Sequence, residues 1–589
     1  MKIKHFFGLA VIAAMTASCS SNEDLGTAGP GTGTNETGVG YATFTINLPS
    51  VSGSTTSGAR GTRAADAGGA VVNPGTEDEY KVSDATALIF QKYGADEGSY
   101  KFVESVNLPF TATDWENDDT DGITTKSKKL VAQLTNVDTK NTYAVLVLLN
   151  NKSTSGVKIK LPTVGQSYNE WNNEAQSPNL TDLTTTDNFY MANAPLCESG
   201  KVTTLVTIDK NNIYPTQKAA KDGTAAANVF VERGVAKMSV VDPTTKTVKD
   251  KATSADTESE VTFSNWALDI TNKKTYAVHN IDGLSKDFSA IWTTPRFIGT
   301  NSRVYWGKDP NYSMPELKDA NLAGDTKRSE EFNCITNIDD INKTFDKPVY
   351  CLENTFDLAN MYQGQTTRVI FKATYAPKDD AGTSLADADG TFYTIGNMTT
   401  ILNKTKLEAA VNAVANPVLP TGYSIDYANI ERKGSHVITS ADIKDGSGAT
   451  LVDDADYNGK KGTEIVKEIN DKLGLTDGEG PAKGRAEAKV GINTYKKGVT
   501  YYIARVKHFG ALTPWNSGES YSDNNAKYLG RYGMLRNNWY ELQVGNVYGP
   551  GYPGVPPVDP TLPDDENEKY LSVSVKILDW AKRSDTIDL

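Results

Sequence analysis

The sequence predicts a mainly β fold with two β-sandwich domains, short helical insertions and a further strand at the C-terminus. The chain has 589 residues, more than one ordinary hydrophobic core accommodates, which predicts two or more domains. Its 49 Gly and 24 Pro residues, with many Thr, Asn and Asp, favour strands joined by turns. Short runs in which apolar and polar residues alternate recur along the chain and are typical of half-buried strands.

A strand is predicted near each end of the chain, and the two strands have the same apolar pattern. The residues that share one face are Ala42, Phe44, Ile46 and Leu48 in the first strand, and Leu571, Val573, Val575 and Ile577 in the last. Leu578 and Trp580 break the alternation, which predicts a bulge or a change of face, with Trp580 over a neighbouring patch. Either strand can therefore occupy the same apolar groove.

The N-terminus has the pattern of an export signal. Lys2 and Lys4 form a basic segment, residues 6–15 are apolar, and small residues precede Cys19. This pattern is typical of a bacterial lipobox, in which Cys19 is acylated and becomes the first residue, although Thr16 replaces the usual aliphatic residue. An ordinary secretory signal with an incidental cysteine is the alternative. No later apolar run approaches the roughly 18–20 residues that span a bilayer, so only lipid would hold the exported protein to a membrane.

Composition divides the chain into six segments. A Gly/Thr/Asn-rich tether follows Cys19, Asp242-Pro243 begins a polar stretch, and a Pro/Gly stretch follows Tyr548. The last of these predicts a stiff spacer that holds the final strand away from its own domain. The expected segments are a signal peptide (1–18), a tether with the first strand at 41–48 (19–63), an N-terminal sandwich (64–241), a C-terminal sandwich (242–548), a Pro/acidic linker (549–569) and the final strand (570–589).

Alternating or continuous apolar runs predict the internal elements. The expected strands are 86–90, 142–149 and 228–241 in the first domain, and 261–268, 367–375, 500–506 and 539–544 in the second. The run at 142–149 is apolar enough to be buried on both faces. Helical spacing predicts helices over 404–415 and 463–473, the second with a Thr cap and Gly474 as its terminator.

The sequence gives no support for catalysis, a cofactor or nucleic-acid binding. The net charge of −13 opposes contact with phosphates. His279, His436 and His508 do not lie at metal-ligand spacing, and no nucleophile elbow, phosphate loop or zinc-protease motif is present. Four cysteines do not make a disulfide scaffold in so long a chain; Cys334 and Cys351 either pair as a loop staple or remain free thiols.

Two acidic turns partly resemble calcium loops. Residues 117–122 and 454–459 have the first ligand positions, but Lys128 and Ile465 occupy the twelfth position, where a bidentate Glu is required. Ordinary turns, in which Asp and Asn bond their own backbone, are the expected structure, and no metal is predicted.

Arg60 and Arg63 are candidate sites for an arginine-specific protease. They lie in a Gly/Ser/Thr-rich stretch directly after the first strand, and such extended segments are readily cleaved. An inert basic linker is the alternative.

Several motifs together resemble the Bacteroidales fimbrillins, or type V pilins. The resemblance covers nearly the whole chain and rests on the order of its motifs together with the lipobox. The C-terminal segment from Leu571 to Trp580, with the end at Leu589, is similar to the tail of the major subunit of the short (minor, Mfa-type) fimbria. The other motifs are Val231 to Lys237, Trp266 to Asn272, Cys351 to Thr355 and Leu535 to Tyr540.

The resemblance implies a fold and an assembly mechanism. It implies transthyretin-like, Greek-key sandwiches, export as an outer-membrane lipoprotein with palmitate at Cys19, and removal of the first strand by an arginine-specific protease. The cut is expected after Arg63, with Arg60 second, so the resemblance implies that residues 19–63 are a propeptide with a removable strand at 41–48 and that residues 570–589 are the donor strand. A C-terminal strand of another subunit then fills the vacated groove, which builds an extracellular fimbrium that supports adhesion and biofilm formation. The implied partners are copies of itself, accessory, tip and anchor subunits, the protease, and host or bacterial surface ligands.

Two other functions fit the same sequence. The chain could be a monomeric surface lipoprotein that binds glycan or a host ligand through aromatic residues such as Tyr305, Trp306 or Trp515. It could also be a tip or anchor subunit of the same pilus, although an anchor should keep its first strand. An enzyme is a distant third class. A mature N-terminus at residue 64 would favour the shaft subunit, and one at Cys19 the monomeric lipoprotein.

Overall fold

The computed structural model describes most of the chain between residues 33 and 579. The described residues are 33–35, 38–49, 75–110, 116–117, 124–138, 140–198, 200–289, 297–298, 303–319, 321–432, 434–476, 490–509, 528–555, 558, 560–564 and 571–579. For 571–579 the description is limited to the backbone.

The first half of the chain forms short and medium strands. They are β1 Gly40–Pro49, β2 Ala85–Gln91, β3 Lys101–Asn107, β4 Glu116–Asn117, β5 Thr124–Leu134, β6 Tyr143–Leu149, β7 Lys152–Ser153, β8 Gly156–Val157, β9 Thr184–Thr185, β10 Asn188–Phe189, β11 Met191–Asn193, β12 Leu196–Glu198, β13 Lys201–Thr203, β14 Val206–Thr207, β15 Ile213–Tyr214 and β16 Ala227–Arg233.

The second half continues in the same way. Its strands are β17 Ala236–Val240, β18 Thr245–Lys249, β19 Asp256–Asp269, β20 Thr271–Asn272, β21 Phe332–Asn333, β22 Val349–Cys351, β23 Arg368–Ala376, β24 Phe392–Ile395, β25 Tyr423–Ile425, β26 Gly434–His436, β27 Ile443–Asp445, β28 Asp456–Tyr457, β29 Lys460–Lys461, β30 Ile492–Tyr495, β31 Val499–Arg505, β32 Asn538–Val547 and β33 Leu571–Asp579.

The helices are short, so the expectation of a mainly β fold is confirmed. They are α1 Tyr168–Asn172, α2 Leu180–Leu183, α3 Gln217–Asp222, α4 Leu284–Asp287, α5 Leu322–Glu331, α6 Lys404–Ala415 and α7 Gly462–Leu473. Among the described residues, no helix has the length and apolar character needed to cross a membrane. Helix α6 has the predicted bounds. Helix α7 ends at Gly474 in the left-handed conformation as predicted, but Lys461, not a threonine, is its N-cap.

The first half is built on a ten-stranded sheet. Its order is β3-β2-β6-β11-β16-β1-β5-β4, with β14 beside β6 and β15 beside β1. The first residues of β16 pair with β1, and its last residues pair with β11. Every residue of β6 is buried, which confirms that this run is covered on both faces. A large core cluster surrounds these strands.

The second half is built on an eight-stranded sheet. Its order is β22-β17-β32-β18-β19-β23-β31, with β33 beside β32. The run at 228–241 is not one strand, because β16 lies in the first sheet and β17 in the second. The chain therefore changes sheet at Gly234 and Val235, a few residues before the expected boundary at 241. Periodicity could not show this change, since both strands are apolar.

Residues 377–498, between β23 and β31, include a small unit with its own core. Helices α6 and α7 pack there against β24, β30 and their neighbouring strands. We call this part the inserted unit.

Candidate functional site

The leading strand β1 lies in the interior of the first sheet. It pairs antiparallel with β5 along almost its whole length, from Gly40 opposite Leu134 to Pro49 opposite Thr124. On its other edge, Phe44 to Asn47 pair parallel with β16. Two ladders of backbone hydrogen bonds thus hold β1, and its loss would leave unpaired N–H and C=O groups on both neighbours.

The inward face of β1 contributes to the centre of the first core. Ala42, Phe44 and Ile46 are fully buried, and Leu48 is 2% exposed. These are the residues that the sequence predicts for this face. Because they lie in the same cluster as the residues of β2 and β6, removal of β1 would open an apolar slot in that core.

The opposite face of β1 is polar but also covered. The Thr43 hydroxyl donates to the Ala220 carbonyl of α3 at 2.6 Å, and the Thr43 carbonyl accepts from the Ala226 N–H at 2.7 Å. Asn47 Nδ2 donates to the Val229 carbonyl at 3.1 Å. The sequence showed the alternation but not this covering, because helix α3 reaches β1 only in the fold. We use the term β1 slot for the space between β5 and β16 that β1 occupies.

The trailing strand β33 lies on the second sheet of its own chain. It pairs antiparallel with β32, from Asn538 opposite Asp579 to Val547 opposite Leu571, with a register shift between Val544 and Val547. The backbone positions of Leu571, Val573, Val575, Ile577 and Leu578 all fall within this ladder. Among the described strands, β32 is the only ladder partner of β33.

The composition predicted that the segment before β33 holds this strand away from its own domain. The structure differs from that prediction. Tyr552 pairs with Tyr501 of β31 through backbone hydrogen bonds of 2.8 and 2.9 Å. Asp564 is fully buried, and its N–H donates to the Met361 carbonyl at 3.2 Å. The Pro/Gly content predicted stiffness, but the tyrosine contacts β31 of the second sheet, and the acidic residue contacts the chain between β22 and β23.

Four predicted site residues lie outside the described part of the chain. They are the lipidation residue Cys19, the cleavage candidates Arg60 and Arg63, and Trp580 of the trailing strand. Their roles remain predictions.

The four internal motifs of the sequence meet where the two large sheets join. The carboxylate of Glu353 accepts from Arg536 Nε at 3.1 Å, and Asn272 Nδ2 donates to the Glu353 carbonyl at 2.6 Å. The Arg233 N–H donates to Asn537 Oδ1 at 3.2 Å. Each motif therefore supplies a buried polar group to one junction. The sequence analysis used these motifs only as signs of a resemblance and did not predict that they contact one another.

Buried charges at this junction are paired. Lys237 Nζ lies 2.7 Å from Glu79 Oε1, and both side chains are at most 3% exposed. Tyr350 donates its hydroxyl to the same carboxylate. Burial alone would raise the pKa of Glu79, but the charges of Lys237 and Arg233 outweigh it and hold the pKa below its usual value. These residues join the sheets and do not form an open cleft.

The other candidate sites of the sequence take structural roles. Cys197, Cys334 and Cys351 are free thiols, and Cys351 contacts the sulfur of Met534 at 3.6 Å. Asp456 accepts from the Gly459 N–H at 2.8 Å, as in an ordinary turn. Within the described ranges, no group of three or more His, Cys, Asp or Glu residues is placed to hold a metal ion.

The aromatic pair Tyr305 and Trp306 does not form an exposed sugar-stacking surface. Tyr305 is 6% exposed, and Trp306 is fully buried in a core cluster with Phe297 and Phe509. Trp515 lies outside the described residues.

Comparisons with known proteins found a match to one family model and to one solved structure described below. Residues 493–586 match the family model described as major fimbrial subunit protein type IV, fimbrillin, C-terminal. A fimbrial assembly protein from Parabacteroides distasonis has a crystal structure that is similar at a TM-score of 0.27 and 10% identity, covering 61% of this chain and 93% of that chain. A search of curated proteins found no match.

The family match covers most of β30 and all of β31, β32 and β33. The description of that model names major fimbrial subunits, which agrees with the expectation that the protein is not an enzyme. Residues 493–586 are therefore similar to the C-terminal domain of the fimbrillins, a family of fimbrial subunits.

Proposed function

We propose that the protein is a structural subunit of a surface fimbria that polymerises by strand exchange. In this proposal a maturation cut frees β1 from the β1 slot, and the trailing strand of a second copy takes its place. The observation that carries the proposal is that β1 is an interior strand, paired on both edges, at the very start of the described chain.

The position of β1 in the sequence makes its release simple. The chain between Pro49 and Gly75 contains Arg60 and Arg63, and no strand of the first sheet precedes β1 in the described chain. A single cut after either arginine would therefore separate β1 from the strands that surround it. We infer that Arg63 is the main site and Arg60 the second.

The trailing strand has the pattern that the empty slot requires. Leu571, Val573, Val575 and Ile577 repeat the spacing of Ala42, Phe44, Ile46 and Leu48. Burial of four such side chains contributes about 6–12 kcal/mol before ordering costs are subtracted. In the slot the strand would face two partners, β5 and β16, whereas in the monomer it faces one. Each additional backbone hydrogen bond contributes about 0.5–1.5 kcal/mol net.

The pairing of β33 with β32 of the same chain describes the subunit before strand exchange. While β1 fills the slot, a donated strand has no groove to enter, and β33 covers the β32 edge of its own chain. Strand addition to an exposed sheet edge is a general mode of peptide recognition that the pilins use. Exchange would thus begin only after cleavage, which keeps the precursor monomeric during export.

Further features of the proposal rest on the sequence and on the resemblance. We infer export as a lipoprotein acylated at Cys19, maturation at the outer membrane, and assembly with accessory, tip and anchor subunits into a fimbrium that supports adhesion. We also assign the two large sheets to transthyretin-like, Greek-key sandwiches and the subunit to the short, Mfa-type class.

N-terminal sequencing of the protein recovered from surface fimbriae tests the maturation step. The proposal predicts a mature N-terminus at residue 64, with a minor form at residue 61. A mature protein that begins at Cys19 would contradict strand removal and would favour a monomeric lipoprotein.

A further inference from the structure

The inserted unit has a small cavity whose polar groups are arranged around one buried carboxylate. The cavity measures about 250 Å³ and is lined by Asn429, Arg432, Gly434, Ser435 and His436. It lies beside β26, an edge strand that pairs only with β30 among the described strands. The cavity is far in the chain from the β1 slot and shares no residue with it.

Asp442 contacts two of the side chains that line the cavity, Asn429 and His436. Its carboxylate is fully buried and accepts from Asn429 Nδ2 at 2.9 Å, while His436 Nε2 lies 2.8 Å from its other oxygen. The N–H and the hydroxyl of Thr439 donate to it as well, each at 2.8 Å. Burial raises the pKa of Asp442, but these hydrogen bonds outweigh it and lower the pKa to about 2, so the group is ionised at neutral pH.

This arrangement decides which atoms remain for a ligand. An ionised carboxylate only accepts, so it takes the Nδ2 donor of Asn429 and, in a neutral imidazole, the Nε2 proton of His436. In that neutral tautomer the atoms left over are the amide oxygen of Asn429 and Nδ1 of His436, and both are acceptors. Among the described residues, neither atom has a hydrogen bond to the protein. The His436 side chain is 27% exposed, which allows a ligand to reach it.

Arg432 adds a positive charge at the same place. It is exposed, and no carboxylate of the described residues pairs with its guanidinium. Two other cations of the inserted unit are paired: Lys404 lies 2.5 Å from Glu431, and Lys444 pairs with Asp426. Within the described part of the chain, Arg432 is therefore a cation without a carboxylate partner that lies beside two oriented acceptors.

We propose that this cavity binds an acidic monosaccharide unit of a surface glycan. The guanidinium of Arg432 would bind the carboxylate of the sugar, a charge-assisted pairing for which arginine geometry is well suited. The acceptors on Asn429 and His436 would take hydrogen bonds from neighbouring hydroxyls, and the Ser435 hydroxyl would add a further contact. A volume of about 250 Å³ is small for a ligand pocket and suits one sugar ring. A simple inorganic anion would leave the two acceptors unused.

Binding of free acidic sugars to the purified full-length precursor tests the proposal. The probes are glucuronic acid and N-acetylneuraminic acid, with glucose as the neutral control, each followed by saturation-transfer NMR and calorimetry. We expect binding of one or both acids and none of glucose. If only one of the two acids binds, that acid identifies the kind of glycan that the cavity recognises. Binding of glucose as strong as that of the acids, or no binding of any probe, would overturn the proposal.

Matched variants place the ligand in this cavity. Arg432→Met should weaken binding of the acid by about tenfold or more, the effect of losing one charge-assisted contact. Lys406→Met removes an exposed positive charge from helix α6 of the same unit and should leave the affinity unchanged. His436→Gln should weaken binding by a smaller factor. Equal losses in Arg432→Met and Lys406→Met would show a general charge effect and refute the site. The precursor is not polymerised, so this result does not depend on strand exchange.

Discussion

The strands β1 and β33 have the same alternation of apolar residues but different places in the fold. β1 is paired on both edges, and its inward side chains are at most 2% exposed. β33 pairs with β32 alone among the described strands. An interior strand is held by two ladders and a shared core, whereas an edge strand is held by one ladder. The comparison teaches that the strand whose removal we propose holds the stronger position, and the strand that we propose as the donor holds the weaker one.

Deletion of residues 570–589 should have the largest effect, because it removes the donor. We expect a folded, exported monomer that forms no fibres in electron micrographs, since β32 keeps its ladder with β17 and its buried residues Tyr540 and Leu542. A finer version replaces Val573 and Val575 with Asp, and the matched control replaces Ser572 and Ser574, on the other face, with Asp. Fibres from the deletion variant would refute the role of β33.

Loss of the cleavage sites should be almost as severe, because β1 then stays in its slot. The double variant Arg60→Ala with Arg63→Ala is expected to accumulate as uncleaved precursor without fibres, as measured by N-terminal sequencing and electron microscopy. Arg60→Lys with Arg63→Lys keeps both charges and serves as the control: an arginine-specific protease should leave it uncleaved too. Normal maturation of the alanine variant would remove the protease step from the account.

Phe44→Ala should affect the precursor, whose first sheet contains β1, but not the fibre. Loss of this buried ring should destabilise the precursor by about 3–5 kcal/mol. The same change should have no effect on the fibre, because the proposed cut removes β1 from the mature subunit. Val229→Ala, on the neighbouring strand β16, is the matched control and should weaken both forms, since Val229 is fully buried and stays in the sheet. Chemical denaturation of precursor and fibre measures both. A fibre weakened by Phe44→Ala would show that β1 is retained.

The smallest expected effect is a difference in amide hydrogen-exchange rate between β1 and β33 in the intact precursor. Amides of β1 should exchange more slowly than amides of β33, because opening of an interior strand disrupts two ladders and the core. The measurement is hydrogen–deuterium exchange with mass spectrometry on peptides that cover 40–49 and 571–579. Equal protection of the two strands would mean that β33 is not the weaker of the pair.

Local patterns in the sequence explain why much of the fold could be predicted. Strict alternation located β1 and β33, continuous apolar residues located β6, and helical spacing located α6 and α7. These features depend on residues close together in the chain. The four inward residues of β1 were predicted for the same reason.

The remaining features depend on contacts between distant residues. The change of sheet between β16 and β17, the covering of Thr43 by Ala220, and the pairing of Glu79 with Lys237 join residues far apart in the chain. The prediction that a spacer holds β33 away from its domain was wrong, because proline content indicates stiffness but does not show whether Tyr552 and Asp564 contact other parts of the chain. Periodicity carries no information of this kind.

Assembly of purified protein after cleavage tests the exchange of β1 for a donated strand most directly. The full-length precursor and the variant without residues 570–589 are each cut at Arg63 by an arginine-specific protease, and size-exclusion chromatography follows their state. The account predicts fibres from the first, and from the second a monomer that binds a synthetic peptide of residues 570–589. A cleaved full-length chain that stays monomeric, with unchanged thermal stability and no affinity for that peptide, would contradict it.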